Sequence, residues 1–188
     1  MARDYVLTVM SLDRVGIVAG VTEAILELGG NIDAISQTVL RGYFTIIITL
    51  RFDEEVSEDE LKKAVRARGA AGELEVSVKE RTVKEPEPVV PEGDRFVLTI
   101  TGPDQKGIVK RITAYLAGRN TNIDDLYAYG EGDRFVLIGQ LLVPEGEDVE
   151  NLKMDIEGMI GGRDVSINLQ HENVFIATNQ IDFSQRCL

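Results

Sequence analysis

The sequence predicts an α+β chain that is built from two similar small domains. Three observations support this prediction: the sequence repeats itself, strand-like and helix-like patterns alternate inside each repeat, and a stretch rich in proline and glutamate separates the two copies. The chain has 188 residues, which is enough for two small domains with a hydrophobic core each. Two copies are too few for a stacked repeat protein, so each copy is expected to fold as its own domain.

The internal repeat extends without a gap over most of each copy. The segments that align are Tyr5–Val9 with Phe96–Ile100, Asp13–Val18 with Asp104–Val109, and Asn31–Asp33 with Asn122–Asp124. We therefore expect domain 1 at residues 1–83, a linker at 84–93, domain 2 at 94–170 and a tail at 171–188. Three of the five prolines lie in the linker, which predicts a semi-rigid, extended spacer. The tail is expected to form a short docked helix followed by a disordered end.

Within the first copy, apolar periods of two and of 3.6 residues alternate. The expected elements are strand Tyr5–Met10, helix Ile17–Leu28, strands Asn31–Leu40 and Tyr43–Phe52 around a hairpin turn at Arg41-Gly42, helix Ser57–Arg68, and strand Glu73–Lys79. The second copy repeats the order, with a longer hairpin turn over Gly130–Asp133.

The order β-α-β-β-α-β predicts a ferredoxin-like unit, with one four-stranded antiparallel sheet and both helices on one of its faces. The opposite face has no cover within one copy, although part of the apolar run Ile46–Ile48 points to it. We expect a partner there or along the sheet edge, and a homodimer is the expected assembly.

Charge and cysteine content exclude several functions. The net charge is −12, with acidic residues in excess in both halves, so nucleic acid and anionic membrane surfaces are not expected as direct partners. The sequence has no apolar run long enough to span a bilayer, and its beginning does not resemble a secretory signal. A single cysteine, Cys187, excludes an intrachain disulfide and fits a reducing, cytoplasmic location.

The loop after the first strand of each copy is the first candidate site. Its residues are Ser11, Leu12, Asp13, Arg14, Val15 and Gly16 in the first copy, and Gly102, Asp104, Gln105, Lys106 and Gly107 in the second. Free N–H groups at a helix start attract a carboxylate, glycine allows close approach, and an aspartate can accept from an ammonium group. The loop therefore suits an α-amino acid. The alternative is purely structural: the aspartate caps the helix and the glycine makes the turn.

The second candidate is Asn31-Ile32, with its counterpart Asn122-Ile123, at the start of the second strand. We expect this strand to lie beside the loop end of the first strand, so that the asparagine contacts a ligand held there. An amide has both a donor and an acceptor, which suits a zwitterion. The alternative is again structural, because asparagine after Gly-Gly is common in turns.

These motifs resemble the ACT domain, a small regulatory ligand-binding domain. The resemblance rests on the Asp-x-x-Gly-Ile-Val loop, on Asn-Ile after the first helix, and on the element order, and it covers both copies. It implies an amino acid or related metabolite bound at interfaces between two such domains, with the two loops and the two asparagines lining two related sites. The second copy departs from the first at Gln105 and Lys106, so the copies are expected to differ in ligand or in whether they bind one.

Enzymatic chemistry and metal binding find little support in the sequence. The only histidine, His171, lies in the tail and has no counterpart in the other copy, and Arg14 lacks a glycine-flanked phosphate cradle. We therefore expect no catalytic residue, no cofactor and no metal site. The two functional hypotheses are an amino-acid sensor that signals through domain packing or a regulated partner protein, and a ligand-free interaction or dimerisation module.

Overall fold

The computed structural model describes residues 3–81, 92–160 and 164–180. The chain divides into two compact units, Met1–Glu87 and Pro88–Leu188, each with its own core. Most of the predicted linker, and the end of the tail that was expected to be disordered, lie outside the described residues.

Unit 1 is a four-stranded antiparallel sheet with two helices on one face. Its elements are β1 (Arg3–Leu12), α1 (Ile17–Glu27), β2 (Gly30–Leu40), β3 (Tyr43–Phe52), α2 (Glu58–Arg66) and β4 (Glu75–Arg81). The strands lie in the order β2-β3-β1-β4, which makes β2 and β4 the edges of the first sheet.

Unit 2 repeats this architecture and adds one helix. Its elements are β5 (Gly93–Pro103), α3 (Ile108–Gly118), β6 (Asn122–Glu131), β7 (Arg134–Pro144), α4 (Val149–Ile160), β8 (Ser166–His171) and α5 (Glu172–Gln180). The strand order of the second sheet is β6-β7-β5-β8. The predicted α+β class, with two ferredoxin-like βαββαβ units, is confirmed.

Strand alternation builds both cores. In β1, Tyr5, Leu7 and Val9 point to the helices and are at most 1% exposed, while the residues between them point away. The helices contribute matching stripes, such as Val21 and Ile25 of α1. We call the side of each sheet that carries the helices its inner face and the other side its outer face.

The local signals act as the sequence predicts at several boundaries. The Ser57 hydroxyl accepts the N–H of Glu60 (3.2 Å) and caps α2. Gly29 follows α1 with φ +76°, a helix-ending conformation that glycine adopts without strain. Arg41 and Gly42 both have positive φ, as a two-residue hairpin turn between twisted strands requires.

Several predicted boundaries are wrong. β1 spans Arg3–Leu12 where Tyr5–Met10 is predicted, and α2 ends at Arg66 where Arg68 is predicted. The second hairpin turn is not the four residues 130–133, because β6 continues to Glu131 and only Gly132-Asp133 form the turn. The last strand of unit 1 does not begin at Glu73 but at Glu75. Glu73 instead closes a turn with Ala70, whose carbonyl accepts the Glu73 N–H (3.0 Å).

The predicted tail helix is present as α5, and its Phe175 lies over the outer face of the second sheet. Phe175 lines a small cavity of about 80 Å³ together with Val97 and Ile138 of that face. Val97 is only 4% exposed although alternation directs it away from the core residue Leu98. Phe175 therefore covers part of the outer face of unit 2, while Tyr127 and Tyr129 on the same face are 50% and 43% exposed.

Candidate functional site

The two predicted loops share an unusual backbone at their glycines. Gly16 is the N-cap of α1 with φ +93°, and Gly107 is the N-cap of α3 with φ +79°. A Cβ added to either would meet no heavy atom within 4 Å, so the space beside both glycines is open. Neither helix has a side-chain cap. The alternative in which the aspartate caps the helix is therefore wrong, while the glycine does make the turn.

A backbone hydrogen bond holds each loop against the neighbouring hairpin. The Asp13 N–H donates to the Gly42 carbonyl (2.8 Å), and the Asp104 N–H donates to the Asp133 carbonyl (3.0 Å). Both aspartate side chains are exposed. The carboxylates are thus positioned by their backbones and remain at the surface, where an ammonium group could reach them.

Arg14 is engaged within its own unit. Its Nε donates to the Glu73 carboxylate, and its Nη1 donates to the Val15 carbonyl (3.3 Å). Glu73 also accepts the Ala70 N–H (2.6 Å). The hydrogen bond from Arg14, followed by that from Ala70, lowers the pKa of Glu73. Sequence reasoning missed Glu73, because the pairing joins loops far apart in the chain and no local pattern announces it.

Gln105 has the corresponding structural role in unit 2. Its Nε2 donates to the Ile160 carbonyl at the end of α4 (3.2 Å), and its Oε1 accepts from Arg111 (2.8 Å). The side chain at this position therefore ties the loop to the region after the second helix in both units. The next residues, Val15 and Lys106, are exposed, and Val15 is 98% exposed.

At the ends of β1 and β5, some of the predicted site residues are buried and contribute to packing. Ser11 is 6% exposed and donates its hydroxyl to the Leu12 carbonyl (3.0 Å), whereas the Leu12 side chain is exposed on the outer face. Gly102 is buried, and a Cβ there would lie 2.9 Å from Cγ2 of Val165. Glycine at 102 is thus required by close packing.

The structure contradicts the predicted position of the asparagines within one unit. β2 pairs with β3 and not with β1, and Asn31 lies opposite Arg51, which in turn pairs with Asp4 at the start of β1. Ser11 is seven residues further along β1, about 23 Å away at the rise of a strand. Asn31 therefore lies at the opposite end of the sheet from the loop. The same register places Asn122 away from the loop that contains Gly107.

The two asparagine side chains have different surroundings. Asn122 donates from Nδ2 to the Asp124 carboxylate (2.8 Å), which also pairs with Arg95 (3.3 Å). The exposed Asn31 side chain makes no hydrogen bond to the residues that the structure describes. The neighbouring Ile32 and Ile123 are partly buried against their respective cores.

Neither of two open cavities among the described residues of unit 1 is lined by Gly16 or Asn31. One of about 810 Å³ is lined by Thr8, Met10, Thr45 and Ser77 of the sheet together with Arg66 and residues 70–72 and 74–76. The other, of about 270 Å³, includes Ser11 and Leu12. Neither cavity therefore brings Gly16 and Asn31 together.

The structure gives His171 a local role. Its Nδ1 accepts the Asn173 N–H at the start of α5 (3.2 Å), and its ring packs edge-on against Phe96 at 5.3 Å. Within residues 3–81, 92–160 and 164–180, no group of three His, Cys, Asp or Glu side chains is placed to hold a metal ion. No helix among the same residues is long and apolar enough to cross a membrane.

The fold and its loops define a tandem pair of ferredoxin-like units with matching glycine-capped helices. The family model of the ACT domain matches residues 3–79 and again residues 94–168, so the chain belongs to the ACT domain family. The resemblance seen in the sequence is confirmed.

Individual relatives match one copy or the whole fold. A UPF0237 protein of Streptococcus mutans is 38% identical over 78 residues, which are 42% of this chain and 89% of that protein. A protein of unknown function from Galdieria sulphuraria has a similar structure, with a TM-score of 0.71 at 22% identity, over 91% of this chain and 99% of that one. The structure of a putative glycine cleavage system transcriptional repressor gives 0.64 at 17% identity, over 92% and 99%. These two structures show that the tandem fold recurs.

Proposed function

We propose that this protein is a non-enzymatic regulator that binds an amino acid or related metabolite where two ACT units pair. The observation that carries the proposal is the pair of glycine N-caps at Gly16 and Gly107, each with open space beside the backbone at a helix start. A ligand carboxylate is attracted to such a helix start, and the adjoining aspartate carboxylate attracts an ammonium group.

A site that uses both the loop and the asparagine must take them from different units, because they lie at opposite ends of one sheet. The edge strand β2 offers a way to bring them together. Antiparallel pairing of β2 with β2 of a second chain would set Asn31 of one chain against the Leu40–Gly42 turn of the other. The Gly42 carbonyl holds the Asp13 N–H at 2.8 Å, so the loop of the second chain would be close to that Asn31.

The exposure of β2 supports pairing at this edge. Its inner-face residues Ile35 and Val39 are 49% and 44% exposed, because the helices leave this part of the edge strand uncovered. On the adjacent side of α1, Val18 is also exposed. An unpaired edge strand flanked by exposed apolar side chains favours association with another strand. A homodimer would then complete two sites and couple ligand binding to assembly.

The charge of the chain bears on how a signal would be passed on. One structural relative is described as a putative transcriptional repressor. This chain has a net charge of −12, which disfavours direct contact with nucleic acid. We propose that any effect on gene expression passes through a regulated protein, and that the protein works in the reducing cytoplasm.

The second candidate function is a ligand-free interaction or dimerisation module. Arg14 favours this alternative, since its guanidinium is already bound to Glu73 and is not directed at an open site. In this case β2 would serve assembly alone.

Isothermal titration calorimetry against the twenty amino acids separates the two functions. The sensor predicts heat with at least one of them for the wild type, and a loss of the part of that heat that comes from the unit 1 sites in Asn31→Ala. Asn168→Ala, at an exposed asparagine on the edge strand β8 of unit 2, is the matched control and should bind normally. If the folded wild type responds to no amino acid, the interaction module is the better account.

A further inference from the structure

The outer face of the first sheet exposes a row of large apolar side chains. Leu12, Tyr43 and Leu40 lie side by side in the register of β1, β3 and β2, and they are 66%, 55% and 62% exposed. We call these three residues the apolar ridge. Met10 and Ile47 extend the apolar surface further along the same face. Clustered exposure of this kind is characteristic of interaction surfaces.

A hollow adjoins the ridge on the same face. It is the cavity of about 810 Å³, with a floor formed by Thr8, Met10 and Thr45 and a wall formed by residues 70–72 and 74. The floor lies two to four residue pairs from the ridge along β1 and β3. The face therefore presents a projection and a depression next to one another.

The second unit has neither feature at the equivalent positions. The residues that occupy the register of Leu12, Tyr43 and Leu40 there are Pro103, Arg134 and Glu131. Phe175 of α5 also lies over that face, against Val97 and Ile138. Within the described residues of unit 1, no helix lies on the outer face. The ridge and its adjoining hollow are thus particular to unit 1, whereas the outer face of unit 2 exposes Tyr127 and Tyr129 beside Phe175.

We propose that the outer face of the first sheet is an interface with the same face of a second copy of this chain. A two-fold axis between ridge and hollow would seat the ridge of each copy in the hollow of the other, which is the self-complementary arrangement of a symmetric pair. This interface uses the face of the sheet and not the hydrogen-bonding edge of β2, although Leu40 and Leu12 of the ridge lie next to the loop of the proposed ligand site. It does not need the ligand.

The size of the face agrees with a second copy as the occupant. Four strands about 4.8 Å apart and about 30 Å long give about 600 Å² per copy, or about 1,200 Å² in total, the lower end of the range for stable interfaces. The charges on the face are also balanced. Arg51 pairs with Asp4 at 3.1 Å and with Asp33 at 3.8 Å, and Glu75 shares β4 with Lys79 and Arg81. A balanced face does not favour a strongly charged partner.

Sedimentation equilibrium of the full chain tests the interface. The wild type should reach twice the mass that Ile47→Glu reaches at the same concentration, because this substitution places a carboxylate in the middle of the apolar face of both copies. We expect at least a tenfold weaker self-association. Met10→Thr, which introduces the residue that unit 2 carries in the same register, should weaken association less and keeps the test valid if Ile47→Glu does not fold.

Met154→Glu is the matched control. Met154 is 56% exposed on α4, on the helix side of unit 2, and its replacement should leave the mass unchanged. Equal masses for wild type, Ile47→Glu and Met10→Thr over the whole concentration range would overturn the proposal, as would dissociation of Met154→Glu. Amino-acid titrations of the wild type and of Ile47→Glu keep the two proposals apart. If Ile47→Glu has half the wild-type mass and still binds the amino acid, both proposals are supported. If Ile47→Glu has half the mass but the wild type itself binds no amino acid, only the sensor is refuted.

Discussion

Replacing Gly16 with alanine should strain the loop backbone without creating a steric clash. Gly16 has φ +93°, and an added Cβ would meet no heavy atom within 4 Å, so the whole cost comes from placing an L-residue in a left-handed conformation. That cost is about 1–2 kcal/mol. For a domain of this size each kcal/mol lowers the melting temperature by about 4–8 °C, so unit 1 should melt about 4–16 °C lower.

Native-state hydrogen exchange measures the stability of the two units separately. At the buried Leu7, the exchange free energy should fall by about 1–2 kcal/mol in Gly16→Ala, while core amides of unit 2 keep theirs. Gly158→Ala is the matched control, since Gly158 lies inside α4 with nothing near an added Cβ and no positive φ. It should stabilise unit 2 by about 0.5–1 kcal/mol. A neutral or stabilising Gly16→Ala would refute the conformational argument.

Three further predictions concern side chains. Asn31→Ala should change the free energy of unfolding by no more than about 0.5 kcal/mol, because the residue is exposed. It should weaken ligand binding about 10- to 150-fold, because it removes hydrogen bonds to a charged group. A calorimetric affinity equal to that of the wild type would disprove its role. Arg14 lowers the pKa of Glu73, so the stability gained from this carboxylate is present above its unfolded pKa and is lost as the pH falls through the lower folded value. Urea titrations of Glu73→Gln should accordingly show a weaker loss of stability on the acid side than the wild type. Burial, aided by the hydrogen bond to Asp155, raises the pKa of Tyr115 to about 12. In an ultraviolet titration its phenol should therefore ionise at a higher pH than an ordinary tyrosine, and ionisation at the ordinary pH would contradict this.

Local sequence patterns predicted most of the fold because local physics determines those features. The boundaries of β3 follow from its apolar run, and Ser57 caps α2 as the spacing to Glu60 indicates. The second hairpin was less readable, since Gly130 suggested a longer turn while cross-strand pairing extends β6 to Glu131. Where two nearby glycines compete for a turn, tertiary pairing decides between them.

The candidate site was only partly predictable because it depends on strand order. The sequence indicates that Gly16 makes a turn, and its φ confirms this. It does not indicate that β3 separates β2 from β1, which sends Asn31 to the far end of the sheet. The pairing of Arg14 with Glu73 is likewise a consequence of tertiary structure, since the two residues lie in loops that only the folded sheet and helices bring together.

Mixing two defective chains tests most directly whether one ligand site takes its parts from two copies. Asp13→Asn removes the loop carboxylate of unit 1 and Asn31→Ala removes the amide of unit 1, and each variant alone should lose the response of the unit 1 sites. After the two are unfolded and refolded together, about half of the dimers should be mixed, each with one intact unit 1 site, so about a quarter of the wild-type unit 1 sites should return. Recovery of that fraction is the result that a shared site predicts, whereas a mixture that binds no better than the separate variants would contradict it.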